Sequence, residues 1–172
     1  MSHKFDFSTL TFEDRQTFLN FVGDLRDPDL VIAPDGKAYL YRWHLVPRGG
    51  AANLYFHIQV ADDPERPLHD HPWDNTSVIL AGGYEEHICK GRPNALNTRI
   101  YIRAPGEMIH RAADWSHRLL MLDNTPYAMT VFMTGPKKRD WGFWYPDGWK
   151  LWSEVTRQLE GNKSVHIKPE GM

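Results

Sequence analysis

Two histidines, His69 and His71, stand one residue apart in the stretch Pro67-Leu68-His69-Asp70-His71-Pro72-Trp73-Asp74-Asn75. Side chains alternate between faces along an extended chain, so this spacing puts both imidazoles on one side. Neutral imidazole is the commonest protein ligand of first-row transition metals. A third histidine from another strand would complete a facial set of nitrogens, and His117 is the candidate. It follows a run of turn, strand and turn that begins at Pro105-Gly106. On a later hairpin, a closed sheet would bring His117 back against the first pair. The reading is a metal site inside a β-barrel.

Other residues could join that chemistry. Asp74 is a candidate fourth ligand, ranked below the histidines. Strict alternation from His71 puts it on the opposite face, but Pro72 cannot donate to a ladder and often marks a bulge that resets the phase. Asp70 points away from the metal by the same alternation. His110 reads first as a satisfied core histidine, and after that as a further ligand or a donor to one. Tyr55, His57 and Gln59 form the polar face of one strand, facing solvent or lining a pocket; in a pocket, His57 becomes a candidate catalytic group. Tyr84 follows a glycine turn and is either a proton donor aimed inward or a plain core tyrosine. Arg42, Arg99, Arg103 and Arg118 are candidate anchors for a substrate carboxylate or phosphate.

These side chains need a frame. Thr11 to Leu25 has helical spacing, with Thr11 as cap, Asp14 three residues on, and Phe18, Phe21, Val22 and Leu25 on one face. Asp27-Pro28 is read as its end. From residue 30 the period becomes two, with turn signals at short intervals. Strands are expected over Leu30–Ala33, Ala38–Val46, Asn53–Val60, His69–His71, Thr76–Leu80, Tyr84–Cys89, Thr98–Arg103, Glu107–Ala112, His117–Leu122 and Tyr127–Thr134. Ser153 to Glu160 reads as a short helix, and the residues from Gly161 on as a polar, loosely held end. The chain is thus expected to be one all-β domain over 1–172: a helix at about 11–25, a barrel at about 30–134 and an aromatic segment at 135–160.

Composition narrows the classes. A net charge of −2 gives no basic field for nucleic acid or an anionic membrane. The single cysteine, Cys89, cannot form an internal disulfide, and a reducing cytoplasm is the natural reading. No apolar run is long enough to span a bilayer. Of seven tryptophans, Trp141, Trp144, Trp149 and Trp152 crowd into the C-terminal segment. That segment is expected to fold over an outer sheet face, with closure of the barrel mouth or a homodimer interface as the alternatives.

The motifs resemble the cupin superfamily. Its first motif pairs His-x-His with a later Glu and Gly; its second has a Gly, a strand, a Pro-x-Gly turn and then a His. His69 and His71 match the pair, Gly82 or Gly83 the closing glycine, Pro105-Gly106 the opening of the second motif and His117 its histidine, while Ala112 and Asp114 replace the Pro and Gly of the later turn. The Glu position falls at Asn75 or Thr76, which departs from the pattern. Ile79 to Glu86, Thr134-Gly135-Pro136, Trp141-Gly142-Phe143-Trp144 and Asp147-Gly148-Trp149 resemble small cupin-like proteins of bacteria and phages. The resemblance implies a jelly-roll β-barrel and a divalent transition metal, with Fe(II) first and Mn, Ni or Zn after it. Lacking the Glu, the ligand set is similar to that of thiol dioxygenases, which implies a dioxygenase-type reaction on a small molecule. A non-catalytic metal- or ligand-binding cupin and a sugar-isomerase-like cupin are the alternatives.

Overall fold

The computed structural model describes residues 4–155 apart from 35, 48, 50, 65 and 66. The polar end and the second half of the expected C-terminal helix lie outside the described residues; 152–155 form its first helical turn.

Eleven strands follow the helix α1 (Phe12–Val22): β1 (Leu30–Ile32), β2 (Leu40–His44), β3 (Asn53–Gln59), β4 (Asn75–Ala81), β5 (Tyr84–Lys90), β6 (Arg99–Arg103), β7 (Met108–Arg111), β8 (Trp115–Met121), β9 (Ala128–Thr134), β10 (Gly142–Tyr145) and β11 (Gly148–Leu151). They form a six-stranded antiparallel sheet in the order β1-β2-β3-β9-β4-β7, a three-stranded sheet β6-β5-β8, and the hairpin β10-β11. The all-β expectation holds. Among the described residues the ladders form two facing sheets rather than a ring that closes on itself. Tyr84 of β5 packs with Ile79, Ile109 and Ala128 of the larger sheet, and with Leu119 and Met121 of β8, which joins the two layers.

Alternation decides what each face of the large sheet does. Phe56, Ile58, Trp43, Met129 and Val131 point outward and are covered by Phe5, Leu10 and Phe18 of the N-terminal segment. Phe18, Trp43, Phe56 and Ile58 are fully enclosed, each worth about 1.5–3 kcal/mol by removal from water. The helix is anchored at its start, where the Thr11 hydroxyl accepts from Asp14 N and the Asp14 carboxylate accepts from Tyr127 Oη at 2.6 Å. It stops at Gly23, whose φ of +94° suits glycine, four residues before the expected Asp27-Pro28. Phe21 and Leu25, the latter past the helix end, stay nearly half exposed, against the expectation that both pack inward, although the Phe21 ring still meets Phe56 at 5.8 Å.

The opposite face, carrying Arg42, Tyr55, His57, Gln59, Thr130 and Phe132, lines a cavity of 590 Å³ between the sheets. Of the two readings for Tyr55, His57 and Gln59, the pocket is therefore the one realised. No helix among the described residues is long and apolar enough to cross a membrane.

Candidate metal centre

The three histidines meet. His69 lies in a short extended segment between β8 and β10, paired with His117 on one side and Phe143 on the other. Its N–H donates to His117 O at 3.0 Å and its carbonyl accepts from His117 N at 2.8 Å. Residues that exchange both bonds stand directly opposite, with side chains on the same face. His71 follows two residues later on that face. Ring centroids are 5.2 Å apart for His69 and His71, 4.8 Å for His69 and His117, and 5.1 Å for His71 and His117.

One candidate ligand atom from each histidine lies within 4.8 Å of the others. Nε2 of His71 and Nε2 of His117 are 2.9 Å apart. Two imidazoles at right angles on a metal, each at about 2.1 Å, separate their nitrogens by about 3 Å. The donor set therefore fits a first-row divalent metal, which His69, His71 and His117 would hold.

Protonation supports the same fit. Burial pushes the His71 imidazole well below its usual pKa, helped by the neighbouring His117 and His69. Burial also lowers His117, to about 4, against the opposing effect of the hydrogen bond it donates to Glu86. Both rings are neutral near pH 7 and keep a lone pair to offer.

Glu86 fixes which nitrogen that is. His117 Nδ1–H donates to Glu86 Oε1 at 2.8 Å, which leaves Nε2 as the acceptor facing the other histidines. The same carboxylate accepts from Arg111 Nε at 2.6 Å and from Arg103 Nε at 2.8 Å. Glu86 and Arg111 are both wholly enclosed. Burial works to raise the Glu86 pKa, but His117 and Arg111 more than offset it and hold the carboxyl far below the ordinary range. Arg111 comes from β7, so its guanidinium crosses from one sheet to the other, and it also donates to Ser77 Oγ at 2.9 Å.

Sequence reasoning passed over Glu86. The usable signal was parity: Tyr84, Glu86 and Ile88 share one face of β5, and a carboxylate between two core residues needs partners.

Other expected residues fall elsewhere. Asp74 is not brought to the histidines. Its carboxylate accepts from Ala113 N and from Lys138 Nζ, because the chain enters β4 with Asn75 facing inward and Asp74 outward. His110 is exposed and pairs with Thr76 Oγ1 at 3.1 Å. It is no core histidine, since α1 covers only part of the outer sheet face. Arg99 is exposed and donates to Leu96 O.

His57 and Tyr84 both line the cavity. Burial lowers the His57 pKa far below 6.5, with the Arg42 charge adding to it. Burial raises that of the Tyr84 phenol.

The tryptophan-rich segment does not cover an outer face. Its hairpin docks beside His69 and adds Trp141, Phe143 and Trp152 to the cavity wall. Asp70, enclosed and facing away from the histidines, is the tether. It accepts from Gly142 N at 2.7 Å and Trp149 Nε1 at 2.9 Å, and it pairs with Arg139 at 2.9 Å.

No protein-family model matches this chain, and no curated protein does. Solved structures do. Fe(II) HppE in complex with substrate superposes with a TM-score of 0.51 at 16% identity, over 63% of this chain and 58% of that one. The chain has the cupin fold. The DMSP lyase DddQ from Ruegeria pomeroyi DSS-3 aligns at 22% identity and TM-score 0.48, over 68% of this chain and 57% of that one. A mannose-6-phosphate isomerase-like protein from Ralstonia eutropha JMP134 aligns at 18% and 0.48, over 63% and 92%. The aligned part spans less than three-fifths of the first two proteins. Identities this low make the likeness one of cupin architecture, and the site is argued from its own residues.

Proposed function

We propose that this cupin is a metal-dependent enzyme in which His69, His71 and His117 hold Fe(II), or another divalent first-row metal, against a small-molecule substrate. One observation supports this above the rest. The two closest imidazole nitrogens face each other at 2.9 Å, and a buried carboxylate holds the far side of one ring. A hydrogen bond between the rings would explain the distance; it would not explain why the third histidine shares the same face at the wall of a 590 Å³ cavity.

Bound Fe(II) would supply one-electron chemistry towards dioxygen, and the reaction class proposed is a dioxygenation in which both oxygen atoms enter the substrate. The chain's own residues set the conditions. Glu86 keeps the His117 proton on Nδ1. Trp141, Phe143 and Trp152 close one wall with apolar surface and limit water. Tyr84, whose phenol stays protonated, can give a hydrogen bond to a developing negative oxygen.

The test is metal content of protein purified without chelator, followed by calorimetric titration of the stripped protein with Fe(II), Mn(II) and Zn(II). About one metal per chain is expected, with His117→Ala abolishing it. Oxygen uptake on addition of thiols or catechols then identifies the reaction class. Absence of any site tighter than surface histidines would sink the proposal, and a bound metal without turnover would leave a ligand-binding cupin.

A further inference from the structure

We propose that Arg42, His57 and Thr130, one row across the inner face of the large sheet, bind an oxyanion of the substrate, with the His57 Nδ1–H as the donor that touches it. The inference rests on reading the cavity as a small-molecule site, and it does not depend on the metal.

The three residues are adjacent by register. Arg42 stands opposite His57, and His57 stands opposite Thr130. All three line the cavity and are more than nine-tenths buried. Arg42 Nε–H donates to His57 Nε2 at 2.8 Å. An arginine donates and never accepts, so His57 Nε2 must be the lone-pair nitrogen. The ring is therefore the neutral tautomer with its hydrogen on Nδ1.

Among the described residues that Nδ1 has no hydrogen-bond partner, and it is not sealed from the cavity. The Thr130 hydroxyl is in the same position. Two polar groups that native folding would otherwise satisfy are thus turned into open space. Tyr55 and Phe132 stack on the His57 ring at 5.9 and 5.2 Å, within 9° and 23° of parallel, and hold its plane.

The arrangement suits an acceptor that carries charge. A guanidinium on Nε2 draws electron density through the ring and makes Nδ1–H a stronger donor than an ordinary neutral imidazole. The ring cannot take a proton from the substrate, because its second nitrogen is occupied by a cation. It can only give a hydrogen bond, which matches a carboxylate, phosphonate or sulfonate oxygen and not a donor group. The row lies near the histidine cluster: Phe132, against the His57 ring, is 5.9 Å from the ring of His71. A substrate anchored here by its acidic end can reach the histidines with its other end.

The experiment uses the full chain with 15N-labelled histidine, as purified and after chelator treatment. The ring of His57 should report the neutral Nδ1–H form at pH 7. Titration with acetate, methylphosphonate and methanesulfonate should move its resonances, with acetamide as the neutral control having no effect. Comparing the three anions distinguishes planar from tetrahedral oxyanions. The substitution His57→Met leaves a weak sulfur acceptor for Arg42 and has no N–H to offer the cavity, so it should weaken the anion about tenfold or more. Should that variant fail to fold, Thr130→Val, close in shape, should weaken it several-fold.

Three results would overturn the inference: an Nε2–H ring, an equal response to acetamide, or an affinity untouched by both variants. An anion response that vanishes on chelation would also overturn it, because the anion would then sit on the metal; the metal proposal would survive.

Discussion

Replacing Glu86 by glutamine changes one oxygen for an amide and almost nothing in volume. The carboxylate holds His117 at 2.8 Å, Arg111 at 2.6 Å and Arg103 at 2.8 Å. An amide offers one acceptor oxygen, so it cannot serve all three. Arg111 is fully enclosed, and a buried charge that loses its counter-ion costs about 3–5 kcal/mol. At roughly 2–4 °C per kcal/mol for a chain of this size, Glu86→Gln should melt about 6–20 °C lower. Metal binding should suffer separately. If the amide N–H turns towards His117 Nδ1, the ring must carry its proton on Nε2, and the lone pair facing His71 is gone. Loss of such an orienting partner usually costs about 10–100-fold in metal affinity. Thermal unfolding, calorimetric titration with Zn(II) below the transition, and the 15N shifts of the His117 ring read the effects independently. A variant that keeps wild-type melting, affinity and tautomer would refute the account of Glu86 given above. Lower stability with unchanged affinity would restrict Glu86 to a structural ion pair.

Three further outcomes are expected. Asp74→Ala should leave metal content unchanged, since its carboxylate is bonded to Lys138 and Ala113; loss of metal by mass spectrometry would restore it as a ligand. Asp70→Asn keeps the size but removes the charge that Arg139 pairs with and weakens the bonds to Gly142 and Trp149, so the hairpin should become the first site cut in limited proteolysis, with altered tryptophan fluorescence. His57 has a folded pKa far below 6.5 because it is buried, so the unfolded chain binds the proton first. Its contribution is full above about pH 6.5 and is lost as the pH falls, at up to about 1.4 kcal/mol per unit. Urea midpoints between pH 7.5 and 5.5 should therefore fall more steeply for wild type than for His57→Gln.

The parts of this site that were legible in the sequence are those fixed by local periodicity. His-x-His on an extended segment needs only the alternation of a strand, and the strand boundaries came from turn residues that act locally. Convergence of His117 needed topology as well, and the cupin resemblance carried that step. Glu86 was not legible because its partners arrive from β6, β7 and β8, and no window of sequence contains them. His110 and Asp74 turned on which face of a strand is covered, a property of the neighbouring element and not of the strand. The hairpin of the last aromatic segment had its own marks, with Gly142 before it and Asp147-Gly148 at the turn. Reading the segment as apolar cover obscured them. Gly142 lies so close to Lys150 O that a Cβ would stand 2.0 Å from it, which shows how tightly the two strands are joined.

The charges around the histidines bear on what can bind there. Three neutral imidazoles add nothing to offset a divalent metal, whereas a set containing a direct carboxylate would offset half of it. Glu86 is the nearest anion in contact with a ligand ring; it is shared between Arg103 and Arg111, and Arg103 also pairs with Glu107, so the two carboxylates and two guanidiniums balance. Among the described residues Asp63 and Asp140 also line the cavity; burial raises the Asp63 pKa and its Oδ2 accepts from Leu119 N, while Asp140 pairs with Lys137. Arg42 on the far wall is buried and donates to His57 Nε2 at 2.8 Å. With those charges paired, a divalent metal held by the histidines would keep most of its charge and draw an ionised donor atom, while selection at the other end falls to the His57 Nδ1–H. Discrimination between a small acid and a neutral carbohydrate therefore rests on that donor and on the metal, not on an excess of fixed cations.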